Sequence, residues 1–479
     1  MEFIIQKRKP ASVFRFFERI SAIPRGSYRE GKIADFLVAF ANERGLECYR
    51  DETNNVCIKA PATPDRSCDA PILFQAHTDM VCEKNANTDH DFLKDPLDLY
   101  IDGNLLRAHG TTLGADDGIG VAMMLALLDG EIPSHPAYEC LFTAAEEVGL
   151  DGARAFDYSK ITAPRMVNLD SETLGVVTVG CAGGVRSDLT LSNTPVAFAG
   201  EAMRVELTGL VGGHSGEDIH KGRANANRLM GRLLSELIGA IDARLVSIMG
   251  GSKDNAIPRE CVVTLAVPDF ASAQDLLTDA AACLAEELSA ENRGFRVVIE
   301  DCEPESVMLT AEDTRRAVTV LNYPREGVLQ MSERIEGLVE YSRNLGVVRK
   351  EEGKLIFTFS SRSPIESQLD DTERELDLLA QSTGCTVNHH SRYPGWDPAL
   401  ASPLCDAYCK AYREVTGENA TVTVIHAGLE CGIIHAALPQ TDIISIGPDL
   451  SGVHSPEEAM DLDSVEGFWK VLERFLSVI

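Results

Sequence analysis

Histidine and carboxylate residues follow the short apolar runs of this 479-residue chain. PILFQA is followed by His77–Asp79, ECLFTAA by Glu146–Glu147, and RMVNL by Asp170. TDIISIG is followed shortly afterwards by His454, and Asp116 lies in GADDGIG, just before a predicted helix. The set contains imidazole and carboxylate groups and no thiolate, which suits Zn²⁺, Co²⁺ or Mn²⁺. A bridging carboxylate would let two such ions lie about 3.5–4 Å apart.

Each of these motifs also has a structural interpretation when taken alone. A histidine in an HxD motif often caps the end of a strand, and a Glu-Glu pair usually lies on a solvated surface. The joint pattern is more informative, because ligands of open α/β sheets bind beyond the carboxyl ends of the strands. Candidate ligands follow four separate apolar runs here. The sequence therefore predicts a metal site at one edge of a sheet.

The elements that must position these residues alternate between helix and strand up to about residue 186. Apolar periodicity predicts helices over 12–20, 31–44 and 117–128, and short buried strands over 71–76, 139–144 and 165–169. Such alternation is typical of an α/β fold. We expect a two-layered catalytic domain with a mostly parallel mixed sheet flanked by helices.

The pattern changes between residues 187 and 394. Two rounds of a strand–strand–helix–strand unit are predicted there, and the α/β pattern then returns with strands at 420–425 and 442–446 and a closing helix at 464–478. We therefore expect a catalytic domain formed by residues 1–186 and 395–479, interrupted by an α+β lid domain over 187–394. The size of the insertion is enough either to enclose a site within one chain or to form a dimer interface.

Composition narrows the class of protein. The formal net charge is −30, which disfavours binding to nucleic acid or to anionic membranes. The basic cluster near the start follows an apolar stretch, unlike a signal peptide, and the apolar runs are too short for a transmembrane helix. The thirteen cysteines are scattered and odd in number, which indicates reduced thiols and a cytoplasmic location.

Five segments together resemble the two-zinc peptidase family that includes carboxypeptidase G and peptidase T. They are ILFQAHTDMV, GTTLGADDGIGVAMMLALL, TAAEEVGLDGA, NLDSE and GVHSPEE. The resemblance implies that His77 and Asp170 hold one zinc ion, that Glu147 and His454 hold the other, and that Asp116 bridges them. Co²⁺ or Mn²⁺ could substitute for zinc.

The resemblance also assigns the chemistry. It makes Glu146 the general base and Asp79 the residue that orients the His77 ring. Water bound to zinc becomes far more acidic, and a nearby carboxylate can take its proton and pass it to the leaving amine. The pattern therefore implies peptide-bond hydrolysis.

The expected substrate contacts lie in the insertion and in a later loop. His214, in GGHSG, is either a passing histidine in a glycine turn or, by the resemblance, a lid donor to the oxyanion. Arg362 in FSSRS and Asn255 in GGSKDNAIPRE fit recognition of a substrate carboxylate. Gly428 and Glu430, in HAGLECG, belong by the resemblance to a substrate-backbone loop, although a helix N-terminus would also need small residues there.

The resemblance implies a homodimeric dipeptidase that acts on dipeptides with a free C-terminal carboxylate, both Xaa-His and broader dipeptides, with β-alanyl-histidine among the candidate substrates. A carboxypeptidase or an N-acyl-amino-acid amidohydrolase of the same family would use the same metals and is the alternative enzyme. A binding protein that has lost the chemistry is a third interpretation. The intact ligand set argues against it.

Overall fold

A computed structural model describes residues 3–398 and 401–479. The chain divides into two compact units. The first unit comprises the chain up to Cys181 together with Trp396–Val424 and Leu429–Ile479, and the second comprises Ala182–Gly395 and Ile425–Gly428. The pattern of the sequence gave no sign that 425–428 would return to the second unit.

The first unit is built on a mixed sheet whose central strands are parallel. In spatial order its strands are Glu47–Arg50, Val56–Ala60, Tyr138–Thr143, Ile72–His77, Arg165–Asn168, Asp442–Ser445, Val176–Cys181 and Thr421–Ile425. The four strands from Tyr138–Thr143 to Asp442–Ser445 run parallel to one another. Their carboxyl ends therefore meet at one edge of the sheet, as the sequence predicted.

Helices cover this sheet and enclose the core of the first unit. They are Ala11–Ser21, Gly31–Arg44, Ala115–Leu128, Asp151–Ala155, Pro403–Thr416, Glu430–Ala437 and Leu462–Leu476. All six residues of Ile72–His77 are buried, so both faces of this central strand are covered. Phe14, Phe17 and Ile20, on one stripe of the first helix, are also buried. The expected α/β architecture is confirmed.

A smaller sheet in the first unit holds the last candidate ligand. Its strands, in spatial order, are Leu450–Ser451, Ala459–Asp461, Leu105–Ala108 and Leu99–Asp102. His454 lies in the connection between the first two of these strands. The pairing fixes both ends of that connection, since Ser451 pairs with Ala459 and Met460 also pairs with Leu106.

The second unit is an antiparallel sheet with its own core. In the described residues its strand order is Arg296–Asp301, Glu201–Thr208, Cys261–Val267, Arg244–Gly250, Val339–Glu351, Lys354–Ser363, Gly183–Ser192 and Thr386–Tyr393, and Gly327–Met331 also pairs with Val339–Glu351. The short strands of this unit form two further pairs, Pro195–Ala197 with Val307–Leu309 and Gly213–His214 with Ala256–Ile257. Its helices are Ala226–Ala240, Phe270–Glu287, Ala311–Asn322 and Glu366–Thr383. The two predicted rounds of strands and helix thus join one continuous sheet, and Ala311–Asn322 is a helix that the sequence pattern did not predict.

None of the helices in the described part of the chain combines the length and the apolar character needed to cross a lipid bilayer.

Candidate metal centre

The candidate ligands of the first unit converge at the carboxyl ends of its parallel strands. His77 is the last residue of its strand, and Asp170 follows the strand Arg165–Asn168 by two residues. Asp116 lies at the start of the helix Ala115–Leu128, and His454 reaches the same place from the smaller sheet. The sheet and the two loops therefore bring together residues that are almost 400 positions apart in the sequence.

Asp116 lies between two groups of ligands. Its Oδ1 is 3.0 Å from His77 Nε2, and its Oδ2 is 3.1 Å from His454 Nε2. Asp170 Oδ1 is 3.6 Å from His77 Nε2 on one side, and Glu147 Oε2 is 3.0 Å from His454 Nε2 on the other. One carboxylate oxygen thus faces each group. This is the arrangement that a bridging ligand between two cations requires.

The spacing and charge of these groups fit metal ions. His77, Asp116 and Asp170 form one set with ligand atoms within 4.8 Å of one another, and Asp116, Glu147 and His454 form a second. Ligand atoms around a tetrahedral zinc ion lie about 3.3–3.6 Å apart, given bonds of about 2.0–2.2 Å. Glu147 Oε1 is buried without a hydrogen-bond partner in the described residues. An orphaned carboxylate oxygen in this position is suited to a cation.

The electrostatics of the site point in the same direction. Burial raises the pKa of Asp170 to about 7, although His77 opposes the rise. Hydrogen bonds to Asp116 and Glu147 raise the pKa of His454 to about 11. So many converging carboxylates need positive charge nearby to remain ionised. Metal ions would supply that charge and would bind both imidazoles in their neutral form.

Asp79, which the sequence analysis expects to orient the His77 ring, is fully buried. Its Oδ1 lies 3.4 Å from His77 Nδ1, the ring nitrogen that faces away from the metal position. It also accepts hydrogen bonds from Ser27 Oγ at 2.8 Å and from the backbone N–H of Glu146 at 3.1 Å. Burial alone would raise the pKa of Asp79, but the hydrogen bonds from His77 and Ser27 lower it. Asp79 therefore touches both the ring of a ligand and the backbone that carries the candidate base.

Glu146 lies with its carboxylate at the same edge of the sheet. Its ligand atom forms a compact group with those of His77 and Glu147, within 4.8 Å of one another. Burial raises the pKa of Glu146 well above its ordinary value. The preceding residue, Ala145, has a left-handed backbone conformation with φ of 52°, which is uncommon for a residue other than glycine. A left-handed turn therefore lies directly before the two glutamates.

In the second unit, His214 is a hydrogen-bond donor held by its own loop. It belongs to the short strand Gly213–His214, which pairs with Ala256–Ile257. Its Nδ1 accepts a hydrogen bond from the backbone N–H of Glu217 at 3.2 Å. Nε2 must then carry the proton of the neutral ring. Burial, aided by the positive charge of Arg362, lowers the pKa of His214, so the ring stays neutral.

Arg362 lies in the strand Lys354–Ser363 and is 7% exposed. Its Nη1 donates to the Tyr393 hydroxyl at 3.0 Å. Gly428 lies against the same tyrosine, and a Cβ at position 428 would lie 2.8 Å from the ring. The backbone carbonyl of Asn255 accepts a hydrogen bond from Ser215 N at 2.8 Å, which ties Asn255 to the His214 loop. The second unit thus places these residues in two groups: His214 with Asn255, and Arg362 with Gly428, both next to Tyr393.

Comparison with known proteins agrees with this geometry. The sequence profile of the peptidase family M20/M25/M40 matches residues 73–478. The chain belongs to this family of peptidases. It is 37% identical over 479 residues to cytosol non-specific dipeptidase from Escherichia coli (strain K12), covering 99% of both chains. The expected resemblance to the family of carboxypeptidase G and peptidase T is confirmed.

Solved structures place the fold of this M20 peptidase among the same proteins. Aminoacylhistidine dipeptidase from Vibrio alginolyticus superimposes with a TM-score of 0.90 at 38% identity, covering 99% of this chain and 97% of that one. Aminopeptidase PepT from Bacillus cereus has a TM-score of 0.54 at 16% identity, covering 97% and 98%, and shares the fold. Within the family, the chain is therefore similar to aminoacylhistidine dipeptidase over almost its whole length.

Glu430 differs from the expectation of a substrate contact. In this M20 peptidase its side chain is completely buried in the first unit. It accepts hydrogen bonds from Gln75 Nε2 at 2.5 Å and from Thr143 Oγ1 at 2.7 Å, and burial raises its pKa to about 8. Gln75 and Thr143 belong to the strands that end at His77 and precede Glu146. An enclosed carboxyl group with these partners holds two strand ends together rather than contacting a substrate.

Three buried charged residues around the ligand loops were missed by sequence reasoning. Glu458 accepts hydrogen bonds from the backbone N–H groups of residues 113–116 at 2.7, 2.9, 2.8 and 3.3 Å. Glu30 accepts one from Ala145 N at 2.9 Å, and Arg25 donates to carbonyls on either side of the site. A single charged residue in a loop is ordinarily exposed to solvent. The sequence therefore gives no indication that these three residues are buried and hold the ligand loops.

Proposed function

We propose that this M20 peptidase hydrolyses dipeptides that carry a free C-terminal carboxylate, using two zinc ions. The observation that carries the proposal is the placement of Asp116, with one oxygen facing each of two histidine–carboxylate pairs. The names of the relatives from Escherichia coli and Vibrio alginolyticus, both dipeptidases, support the choice of substrate. Xaa-His dipeptides and β-alanyl-histidine are included in the proposed range.

His77 and Asp170 would hold one ion, Glu147 and His454 the other, and Asp116 both. Co²⁺ or Mn²⁺ could take the place of zinc, since the same ligand types suit them. When bound, the pair of ions would acidify a water molecule and polarise the peptide carbonyl. The protein would have to keep both imidazole rings neutral and in the right orientation. For His77, the contact of its Nδ1 with Asp79 would fix the orientation of the ring.

Glu146 would act as the general base. Its carboxylate lies beside the ligands, and its backbone is held by Asp79. We expect it to take a proton from the water and to deliver that proton to the leaving amine. The requirement that Glu146 be ionised for this step agrees with a site that contains cations, because burial alone raises its pKa well above the ordinary value and nearby positive charge opposes that rise.

The second unit would act as a lid that supplies the groups for recognition. His214, with its proton on Nε2, would donate to the oxyanion of the tetrahedral intermediate, a contribution of about 10²–10³ in rate. Arg362 would bind the C-terminal carboxylate by two parallel hydrogen bonds. Asn255 would assist, and Gly428 would leave space for the substrate backbone. A clamp on the terminal carboxylate would select short substrates because it fixes their reach.

The first experiment is a hydrolysis panel on chelated enzyme, with Zn²⁺, Co²⁺ or Mn²⁺ added back. It contains several free dipeptides, β-alanyl-histidine, a longer peptide and an acetyl-blocked amino acid. Metal-restored cleavage of the free dipeptides alone is expected. Cleavage of the blocked amino acid alone would transfer the assignment to an amidohydrolase, and efficient cleavage of long peptides would refute the clamp.

The role of the base is tested by Glu146→Gln. We expect the variant to bind two metal ions per chain and to lose several orders of magnitude in kcat, because the amide cannot accept the proton. Glu131→Gln, on the exposed surface of the same unit, is the matched control and should retain activity. Metal content by atomic emission separates a lost base from a lost metal site. Full activity in Glu146→Gln would remove the residue from this role.

We also propose a homodimer in the cytoplasm. The described cysteines are all free thiols, in agreement with a reducing compartment. Within the second unit, the exposed Met249 and Val211 line a groove of about 590 Å³, a surface suited to a second copy of the chain. Met249→Glu should shift the mass in light scattering towards the monomer, whereas Val422→Glu, at an exposed position in the first unit, should leave it unchanged. A wild-type monomer would refute the dimer.

A further inference from the structure

Arg25 is a charged residue that the proposed chemistry does not use, yet its side chain is 1% exposed. It lies in the connection between the helices Ala11–Ser21 and Gly31–Arg44. Its Nη1 donates to the carbonyl oxygens of Thr78 at 3.0 Å and Asp79 at 2.9 Å. Its Nη2 donates to the carbonyl oxygen of Gly114. One guanidinium therefore joins the segment after His77 to the segment before Asp116.

Two glycines leave the space that the guanidinium occupies. A Cβ at position 114 would lie 2.6 Å from Arg25 Nη2, and a Cβ at position 118 would lie 2.5 Å from the same atom. Gly114 also has a φ of 65°, which would favour glycine by itself. Gly118 lies inside the helix Ala115–Leu128, where alanine would ordinarily stabilise the helix by about 1 kcal/mol. Space for Arg25 is therefore the physical reason for a glycine at position 118.

The Asp116 segment is also held by an anion. Glu458 accepts hydrogen bonds from the N–H groups of four consecutive residues, 113–116. Its charge attracts Arg25, as do those of Asp79 and Asp117. Burying a cation and its acidic neighbours is costly unless each is hydrogen-bonded. The two Nη atoms of Arg25 and both carboxylate oxygens of Glu458 bond to backbone groups, whereas Arg25 Nε has no partner in the described residues. Both charges therefore act mainly on the backbone.

We propose that Arg25 is a positioning residue that sets the separation between His77 and Asp116 before metal arrives. The inference rests on the proposed metal site, but it concerns affinity and not the reaction. Within the described residues, the hydrogen bonds of Arg25 go to backbone carbonyls and not to the side chain of His77 or Asp116. Arg25 fixes the carbonyls next to them. Without Arg25, the ion itself must bring His77 and Asp116 into place. The free energy needed to order these two segments is then subtracted from the binding free energy of the ion.

The test is the Zn²⁺ dissociation constant of the full-length apoprotein, measured by competition with a chromogenic chelator. We expect Arg25→Met and Arg25→Lys to raise the Zn²⁺ dissociation constant of at least one of the two sites about 10–100-fold. Loss of supporting contacts has an effect of this size in other metal sites. Lysine keeps the charge but cannot join the two segments. Excess Zn²⁺ should restore most of the kcat in both variants, because the ligands and the base are intact.

Arg343→Met is the matched control. Arg343 is an equally buried arginine in the second unit, where its Nη2 donates to Glu375 at 2.7 Å and Thr372 at 3.2 Å. We expect this variant to lower the unfolding temperature of the apoprotein but to leave the Zn²⁺ affinity within twofold of wild type. Equal weakening of Zn²⁺ binding in Arg343→Met would show general destabilisation and would overturn the proposal.

Gly118→Ala keeps Arg25 in the chain and tests the same contact if the Arg25 variants fail to fold. The added Cβ must displace the guanidinium, so the Zn²⁺ affinity should fall as it does in Arg25→Lys. Wild-type affinity in both Gly118→Ala and the soluble Arg25 variants would overturn the inference while leaving the proposed function intact. A wild-type protein that binds no Zn²⁺ would instead refute the proposed function.

Discussion

His426 gives this M20 peptidase a specific sensitivity to acid. The side chain is 6% exposed in the second unit, and its Nε2 lies 2.7 Å from Ser342 Oγ. Burial lowers its pKa to about 3, and the positive charges of Arg362, His214 and His220 act in the same direction. The folded protein therefore keeps this ring neutral over a range of pH in which the unfolded chain protonates it.

The sign and size of the effect follow from proton linkage. Above pH 6.5 the ring is neutral in both states and contributes no pH dependence. Between pH 6.5 and about 3 only the unfolded chain binds the proton, so the free energy of unfolding falls as the pH falls. Each pH unit is equivalent to about 1.4 kcal/mol. At pH 5 the expected loss from His426 alone is about 2 kcal/mol.

The assay is urea unfolding of the chelated apoprotein at pH 7 and pH 5, followed by far-UV circular dichroism. Other groups also titrate, including the metal-site histidines, so the quantity of interest is the difference between wild type and His426→Gln. Glutamine can keep a hydrogen bond to Ser342 without titrating. We expect wild type to lose about 2 kcal/mol more than the variant between the two pH values.

Two features make this test specific. The exposed His109, in the first unit, is replaced by glutamine to control for the loss of a histidine as such. Trp396 and Trp469 both lie in the first unit, so tryptophan fluorescence follows that unit separately. Equal losses in wild type and His426→Gln would show that the ring is protonated when folded or that burial does not control its charge, and the reasoning would fail.

Three further predictions follow from contacts described above. Glu458→Gln should destabilise the apoprotein by about 1–3 kcal/mol for each backbone N–H left unpaired, measured by urea unfolding, whereas Glu457→Gln, with a side chain 84% exposed, should have no effect. Tyr393→Phe should raise the KM for free dipeptides about fivefold at unchanged kcat by releasing Arg362, and an equal change in KM for amidated dipeptides would contradict this. Phe357 is 0% exposed in the core of the second unit, so Phe357→Ala should lower the free energy of unfolding by about 3–5 kcal/mol, measured by circular dichroism. A decrease below 1 kcal/mol would contradict the burial of Phe357.

The sequence was sufficient to predict the layout of the first unit. Apolar runs predicted strands at 71–76, 139–144, 165–169 and 442–446, and the structure has Ile72–His77, Tyr138–Thr143, Arg165–Asn168 and Asp442–Ser445. The prediction works because a strand buried on both faces must be apolar along its length, and parallel strands must end at one edge. Polar residues that directly follow such runs must therefore lie close together at that edge of the sheet.

The supports of the site could not be predicted in this way. Glu458 reaches the backbone of Leu113 across 345 positions of sequence, and nothing in the local pattern links the two. Residues 425–428 belong to the second unit, although the strand and helix on either side follow the pattern of the first. Glu430 was expected to contact substrate because of its motif, and only its neighbours Gln75 and Thr143 reveal a different role. Tertiary contacts of this kind leave no periodic signal.

The partners of each buried carboxylate separate support from chemistry in this enzyme. Glu458 and Glu30 accept backbone N–H groups and so hold the neighbouring segments, although burial still raises the pKa of both carboxyl groups. Glu147 has a buried oxygen without a partner in the described residues and also lies in a histidine–carboxylate cluster. Glu430 Oε1 is likewise buried without a partner, but the clusters found in the described residues do not include it, so an unpartnered oxygen points to a cation only inside such a cluster. An unpartnered carboxylate in such a cluster is stable in its ionised form only beside a cation. The same criterion, applied to a homologous chain, would distinguish an intact metal site from a fold that has lost it, since loss of the metal would remove the reason to bury such an oxygen.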